Sequence, residues 1–171
     1  MTEPRRIITG HDANGRSKVT LDGPFLDNAP LLEAWAAGAG AVDSRGAADQ
    51  AAGPSRLCPP PGGSKFRYFT VAPAPDGVPL QALEAAYAER FAEFGAAACR
   101  VDTTRHPSMH KTETLDYIIV LKGEVTLLLD EGEVKLKPFD VVVQRGTNHG
   151  WVTDGPEPAL LAAILIDAEI K

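Results

Sequence analysis

Residues 106–151 read HPSMHKTETLDYIIVLKGEVTLLLDEGEVKLKPFDVVVQRGTNHGW, and this stretch leaves the chain few folds to choose from. Short runs rich in Val, Ile and Leu alternate with turn signals at Gly123, Glu131-Gly132 and, further on, Gly155-Pro156. Strands are predicted over 117–121, 124–130, 133–137, 140–144, 149–153 and 159–168. Many short strands at such close spacing specify an antiparallel sandwich or barrel. Within the stretch, His110, Thr112 and Asp116 share parity with Ile118 and Val120. On an unbroken strand they therefore point to one face, because side chains alternate with period two. A polar cluster is placed at one end of an apolar interior, with His149 entering from the other half of the stretch.

These residues resemble the motifs of the cupin superfamily. The first motif, H-x-H, three or four residues, E, six residues, G, is matched in spacing by His110, Thr112, Asp116 and Gly123. Threonine stands for the second histidine and aspartate for the glutamate. The second motif is matched by Pro138, Asp140, Gly146 and His149. Phe139, Arg145 and Thr153 stand where glycine, proline and asparagine are usual. The resemblance implies an all-β fold, an antiparallel jelly-roll (cupin) barrel over 65–168. One domain, 1–171, is expected, with 1–64 as an N-terminal extension and no internal repeat. A homodimer is also implied, and 65–72 and 117–121 carry apolar residues on both faces, which a lone barrel would leave wet on one side.

The extension begins with two β-prone runs about Asn14-Gly15, a strong hairpin signal because both residues tolerate positive φ. His11 and Asp12 beside it are read as fixing that turn. An Ala-, Gly- and Pro-rich segment, 36–61, has no period and is read as an irregular, mobile loop. Residues 65–72 (KFRYFTVA) alternate as a strand, with Arg67, Phe69 and Val71 on one face. One flanking helix is predicted over 79–94, where Leu80, Leu83, Tyr87, Phe91 and Phe94 recur at steps of three and four. Pro79 suits its start and Gly95 its end.

Residues His110, Asp116 and His149 together would form the two-histidine, one-carboxylate set of non-haem metal sites, with positions left open for substrate. Such ligands suit one divalent metal: Fe, Mn, Ni or Zn. Asp116 reaches about 1.5 Å less far than glutamate would. The alternative is a metal-free pocket in which His149 and Asp116 form a hydrogen-bonded pair, able to act as a general base near neutral pH because a neighbouring carboxylate raises a histidine pKa. Thr112, Gln144 and Trp151 are expected to line the pocket, with Trp151 facing inward beside His149. His106 is read as a loop residue at the mouth, since Pro107 prevents a helix joining it to His110.

The net charge of −6, without a Lys/Arg run, argues against a nucleic-acid partner. No apolar run reaches a membrane-spanning length, and MTEPRRIITG lacks a signal-peptide core. Cys58 and Cys99 lie far apart in sequence and are read as reduced structural thiols of a cytoplasmic protein. The function expected is a small metal-dependent enzyme acting on a compact aromatic or oxygen-rich metabolite, or else a metal-free small-molecule binder or sensor. The reaction class, whether oxygenation, decarboxylation, isomerisation or cyclisation, stays open.

Overall fold

The computed structural model describes residues 4–28, 30–46, 48–75, 77–153 and 155–171. Its strands are β1 (Arg5–His11), β2 (Ser17–Pro24), β3 (Leu26–Asn28), β4 (Leu31–Ala37), β5 (Ser64–Val71), β6 (Thr114–Lys122), β7 (Val125–Leu129), β8 (Glu133–Leu136), β9 (Val141–Arg145), β10 (His149–Val152) and β11 (Ala159–Asp167). A single α-helix, α1 (Leu80–Glu93), and a short 3₁₀ turn at Ala97–Cys99 separate β5 from β6. Six strands form one antiparallel sheet in the order β3-β4-β5-β11-β6-β9. Three more, β10-β7-β8, form the facing sheet, and β1-β2 stand apart as a hairpin. The architecture is the jelly-roll barrel.

Alternation decides which side chains enter the barrel. Along β6, Thr114, Asp116, Ile118 and Val120 are buried, while Tyr117 and Ile119 between them are exposed. The core joins both sheets: Ile118, Val120, Leu161, Ala163 and Leu165 meet Val125, Leu127, Leu136 and Trp151. Gly123 turns the chain from β6 to β7 at φ 76°, with the place a Cβ would take only 2.9 Å from the Ala159 Cα. Only glycine fits both demands.

The N-terminal hairpin closes as its sequence requires. Asp12 Oδ1 accepts the Asn14 and Arg16 amides at 2.8 and 2.9 Å, and Gly15 adopts φ 77°. His11 Nδ1 lies 3.0 Å from Ser44 Oγ, a local role. The segment 36–61 is largely irregular after β4 ends, yet it is not the free loop its composition suggests. Ser44 O accepts the His11 amide at 2.8 Å. Asp49 takes the buried Arg6 guanidinium at 2.7 Å, and the Leu57 amide donates to Phe94 O at 3.1 Å. Composition conceals these anchors because one carboxylate and a few backbone carbonyls supply them.

The helix stops at Gly95 (φ 64°), whose amide and that of Ala96 bond back to Ala92 and Phe91 carbonyls at 2.9 and 2.7 Å. Of its predicted apolar stripe only Phe91 is buried, and Leu80 is exposed. Leu83, Tyr87 and Phe94 of that stripe are half-buried, so the helix lies on the barrel shallowly and is anchored by Phe91.

Two expectations can be tested on this fold. Phe139 is the one non-glycine residue with positive φ (76°) among the described residues, and its ring is 84% exposed. Phe139→Gly relieves a left-handed conformation and gives up little packing, so stability should rise by about 0.5–1 kcal/mol in denaturant titration. On the outer face of the large sheet, Phe66, Ile164, Tyr117 and Val143 lie in one register row and are all exposed. This is the face a homodimer would cover. Light scattering should give twice the 18.2 kDa chain mass, and Tyr117→Lys should return it to one.

Candidate functional site

Two histidines meet where the sheets approach each other. His110, just ahead of β6, and His149, the first residue of β10, exchange backbone hydrogen bonds of 2.8 and 2.9 Å. That bridge sets their rings 4.4 Å apart, centroid to centroid. Each Nδ1 faces a carbonyl two residues back in the chain: Ser108 O at 2.9 Å for His110 and Thr147 O at 3.0 Å for His149. A carbonyl only accepts, so both Nδ1 atoms carry the hydrogen, and in the neutral rings both Nε2 atoms keep a lone pair. The rings stay neutral. Part of the His110 surface is open, yet protein packs closely about the ring; burial and then neighbouring His149 hold its pKa down to about 3. Burial likewise lowers that of His149.

Phe91 of α1 lies against His110 at 4.9 Å between centroids, and Tyr87 against His106 at 6.0 Å. His106 is a turn residue, its Nδ1 accepting from Ser108 Oγ at 2.7 Å. Trp151 faces inward beside His149 and packs against Phe69, at 5.9 and 6.0 Å, as part of the core. Gln144 is buried opposite Asp116. Its amide donates to Thr147 O at 3.1 Å, and so it braces the turn leading into His149.

Asp116 turns to other partners. Neighbouring Thr114 favours its charged form, and the Thr114 oxygen lies 2.7 Å from Thr112 Oγ1. Either hydroxyl can be the donor in that bond. The position where the resemblance has a histidine thus carries a hydroxyl bonded to that of Thr114. Burial pushes the Asp116 pKa up to about 6, against the opposing pull of Thr114 and Arg67. The pairing of His149 with Asp116 expected for a metal-free pocket is not formed: the His149 Nδ1 bonds Thr147 O, and, among the described residues, Asp116 Oδ1 has no hydrogen-bond partner.

Two imidazoles with bare Nε2 atoms, each ring fixed by its Nδ1 bond, are the donor chemistry of metal-bound histidine. They fit two positions of a divalent ion. Among the described residues, no three His, Cys, Asp or Glu side chains are gathered closely enough to share one. Asp116 is therefore not collected with the histidines, in keeping with its short reach.

Sequence reasoning missed the charged group beside this site. Glu33 on β4 and Lys65 and Arg67 on β5 are all buried. The Glu33 carboxylate lies 3.1 Å from Arg67 Nη2 and 3.5 Å from Lys65 Nζ, and accepts from Ser55 Oγ at 3.2 Å. Arg56 O accepts from Arg67 and Lys65 at 2.6 and 2.8 Å. Burial, then the Arg67 charge, lowers the Lys65 pKa. A cavity of about 270 Å³ opens beside this group, reaching Glu33, Lys65, Arg56 and Cys58. The Cys58 and Cys99 thiols share a hydrogen bond, which holds Cys99 down to about 7 and pushes Cys58 up. Alternation did place Arg67 on the inward face, but nothing nearby in sequence marks Glu33 as its counter-charge.

The cupin domain family matches residues 100–166. A biosynthetic-cluster protein of Diaporthe leptostromiformis, phomopsin biosynthesis cluster protein C', is 33% identical over 161 residues, which is 86% of this chain and 69% of its own length. The chain is a cupin. A cupin-domain-containing oxidoreductase of Neurospora crassa, srdB, is 28% identical over 172 residues, covering 98% of this cupin and 75% of that protein. Among solved structures, a Cupin 2 conserved barrel domain protein from Salinispora arenicola aligns at 16% identity and a TM-score of 0.39, over 61% of this chain and 64% of that one. Among the described residues, no helix is long and apolar enough to cross a membrane.

The raised Asp116 pKa makes stability depend on pH. A folded-state value above the unfolded one, roughly 3.9, means the folded protein holds the proton more tightly. That contribution is fully present below about pH 4 and is lost as pH rises through about 6. Asp116→Asn cannot ionise and should be more stable than the parent by about 2–3 kcal/mol at pH 7.5. The difference should close as pH falls to 4 in paired thermal melts.

Proposed function

We propose that this cupin is an enzyme acting on a compact, oxygen-rich or aromatic small molecule inside the barrel, with one divalent metal held by His110 and His149 through Nε2. The observation that carries the reading is the His110–His149 pair: two neutral rings, held together by backbone, with both Nδ1 atoms committed to carbonyls. The Neurospora crassa relative and fogC of Aspergillus ruber, 35% identical over 63 residues, are both named as oxidoreductases. That class supports redox chemistry on a small metabolite as the kind of reaction to look for first. When bound, a divalent ion would supply Lewis-acid polarisation of a substrate oxygen.

The chain's own residues prepare the surroundings. Ser108 O and Thr147 O fix the ring orientations, and Gln144 braces the turn that delivers His149. Phe91 and Trp151 flank the pair with apolar surface that keeps water away. The bonded hydroxyls of Thr112 and Thr114 lie near Asp116 at the start of β6.

Metal per chain by elemental analysis, after incubation with Fe(II), Mn(II), Ni(II) or Zn(II) in turn, tests the reading. His110→Ala and His149→Ala should each lower occupancy at least about tenfold, with the fold retained by circular dichroism. Thr112→His, at a buried inward position, should raise affinity by adding a third imidazole. A parent protein that stays empty with all four metals removes the metal from this proposal and leaves a metal-free binding barrel.

A further inference from the structure

Cys58 and Cys99 lie far apart in the sequence, on two segments that the fold lays against each other at the end of α1. The Leu57 amide donates to Phe94 O at 3.1 Å. The Arg56 side chain closes over Gly95, its Cδ 3.3 Å from the place a Cβ would take there. Residue 58 therefore passes the helix end just where the chain enters the 3₁₀ turn that finishes on Cys99. Both cysteines are free thiols. They meet at this point, and each is the strongest single influence on the ionisation of the other.

Neither backbone is free to drift. Cys58 precedes Pro59, which restricts it to extended conformations, and Pro59 is buried. The Cys99 amide donates to Ala96 O at 2.9 Å, and Cys99 O accepts the Lys111 amide at 2.8 Å, one residue beyond His110. Small solutes have a way in. Cys58 lines the cavity of about 270 Å³ beside Glu33 and Lys65, and Cys99 is only half-buried. The two thiols are also unequal. Neighbouring Cys58 holds the Cys99 thiol down to about 7, whereas Cys99 and then burial push Cys58 up. An accessible, partly ionised thiol set beside a second thiol is the arrangement that oxidants turn into a disulfide.

We infer that Cys58 and Cys99 form a redox-sensitive modification site, at which peroxide closes an intramolecular disulfide that clasps the N-terminal extension onto the barrel. The Cys99 thiolate attacks one peroxide oxygen. The O–O bond breaks, and the departing hydroxide recovers as water the proton that Cys99 gave up. Cys99 is then a sulfenic acid, its sulfur oxidised by two electrons. The Cys58 sulfur attacks it, the S–S bond forms as the S–O bond breaks, and a second water carries off the Cys58 proton. Peroxide is thereby reduced to two waters. The Arg67 charge favours the Cys58 thiolate that the second step uses. The bond closes a loop of about 40 residues that contains β5 and α1. It ties the segment that supplies Ser55 and Arg56 O to the turn held against Lys111. The site is independent of the metal reading.

The test treats the intact chain with a small excess of hydrogen peroxide, with EDTA present so that no metal takes part. Free thiols counted after unfolding should fall from two to none, and the monomer mass should drop by two hydrogens. A tryptic digest without reductant should join the peptide of residues 57–65 to that of residues 91–100. The oxidised protein should melt roughly 5–10 °C higher, and dithiothreitol should reverse the shift. In urea, where the fold no longer brings the thiols together, closure should be at least about tenfold slower. Dimedone should label Cys99 in Cys58→Ser, while Cys58 in Cys99→Ser should stay a thiol; the parent measurements stand without either variant. Thiols that survive peroxide, over-oxidation with no joined peptide, or disulfides between chains would each overturn the inference. So would an unchanged melting temperature, equal closure rates in folded and unfolded protein, or dimedone labelling of Cys58 with Cys99 inert.

Discussion

Three buried charges, Glu33, Lys65 and Arg67, hold the polar end of the barrel, and the surrounding structure is arranged to keep them paired. Charges out of water are tolerated only with close partners and satisfied hydrogen bonds. Glu33 answers both cations, while Ser55 Oγ and Arg56 O complete the shell. All of these but the two cations come from the N-terminal extension. The extension therefore works as a wall of the barrel: β4 lengthens the main sheet, and the irregular segment behind it supplies acceptors. Without it, two cations on β5 would be left facing an apolar core.

Much of this was legible in the chain. The parity of residues 112–120 named the inward face of β6 correctly because that face is covered along its whole length, which makes the alternation clean. The Asn14-Gly15 turn and the helix end at Gly95 were readable because each depends on local backbone geometry. The charged group was not, since its members sit on different strands and pair only through sheet register. The proximity of Cys58 and Cys99 was hidden for the same reason, and β3 was too short to leave a periodic signal. The anchored course of the 36–61 segment escaped because its ties run through single atoms that composition does not weigh.

Three of the departures from the family motif acquire a physical account. Phe139 occupies a backbone conformation that suits glycine, and its ring lies in solvent, so the substitution is tolerated at some cost in strain. Thr112 and Asp116, which replace two of the usual ligands, are both buried, with Thr112 bonded to Thr114 and Thr114 favouring the charged form of Asp116. The same two changes that thin the metal-ligand set thus create a polar strip along β6 that faces Arg67.

The bridge between His110 and His149 is made by main-chain atoms, and those atoms are the same whatever side chains they carry. The spacing of the two positions is therefore a property of the sheet, while the chemistry presented there belongs to the side chains. Replacing either imidazole leaves the socket in place and changes only its contents. Lineages of such barrels can accordingly trade one reactivity for another at this point without first having to reinvent the scaffold that brings two residues together.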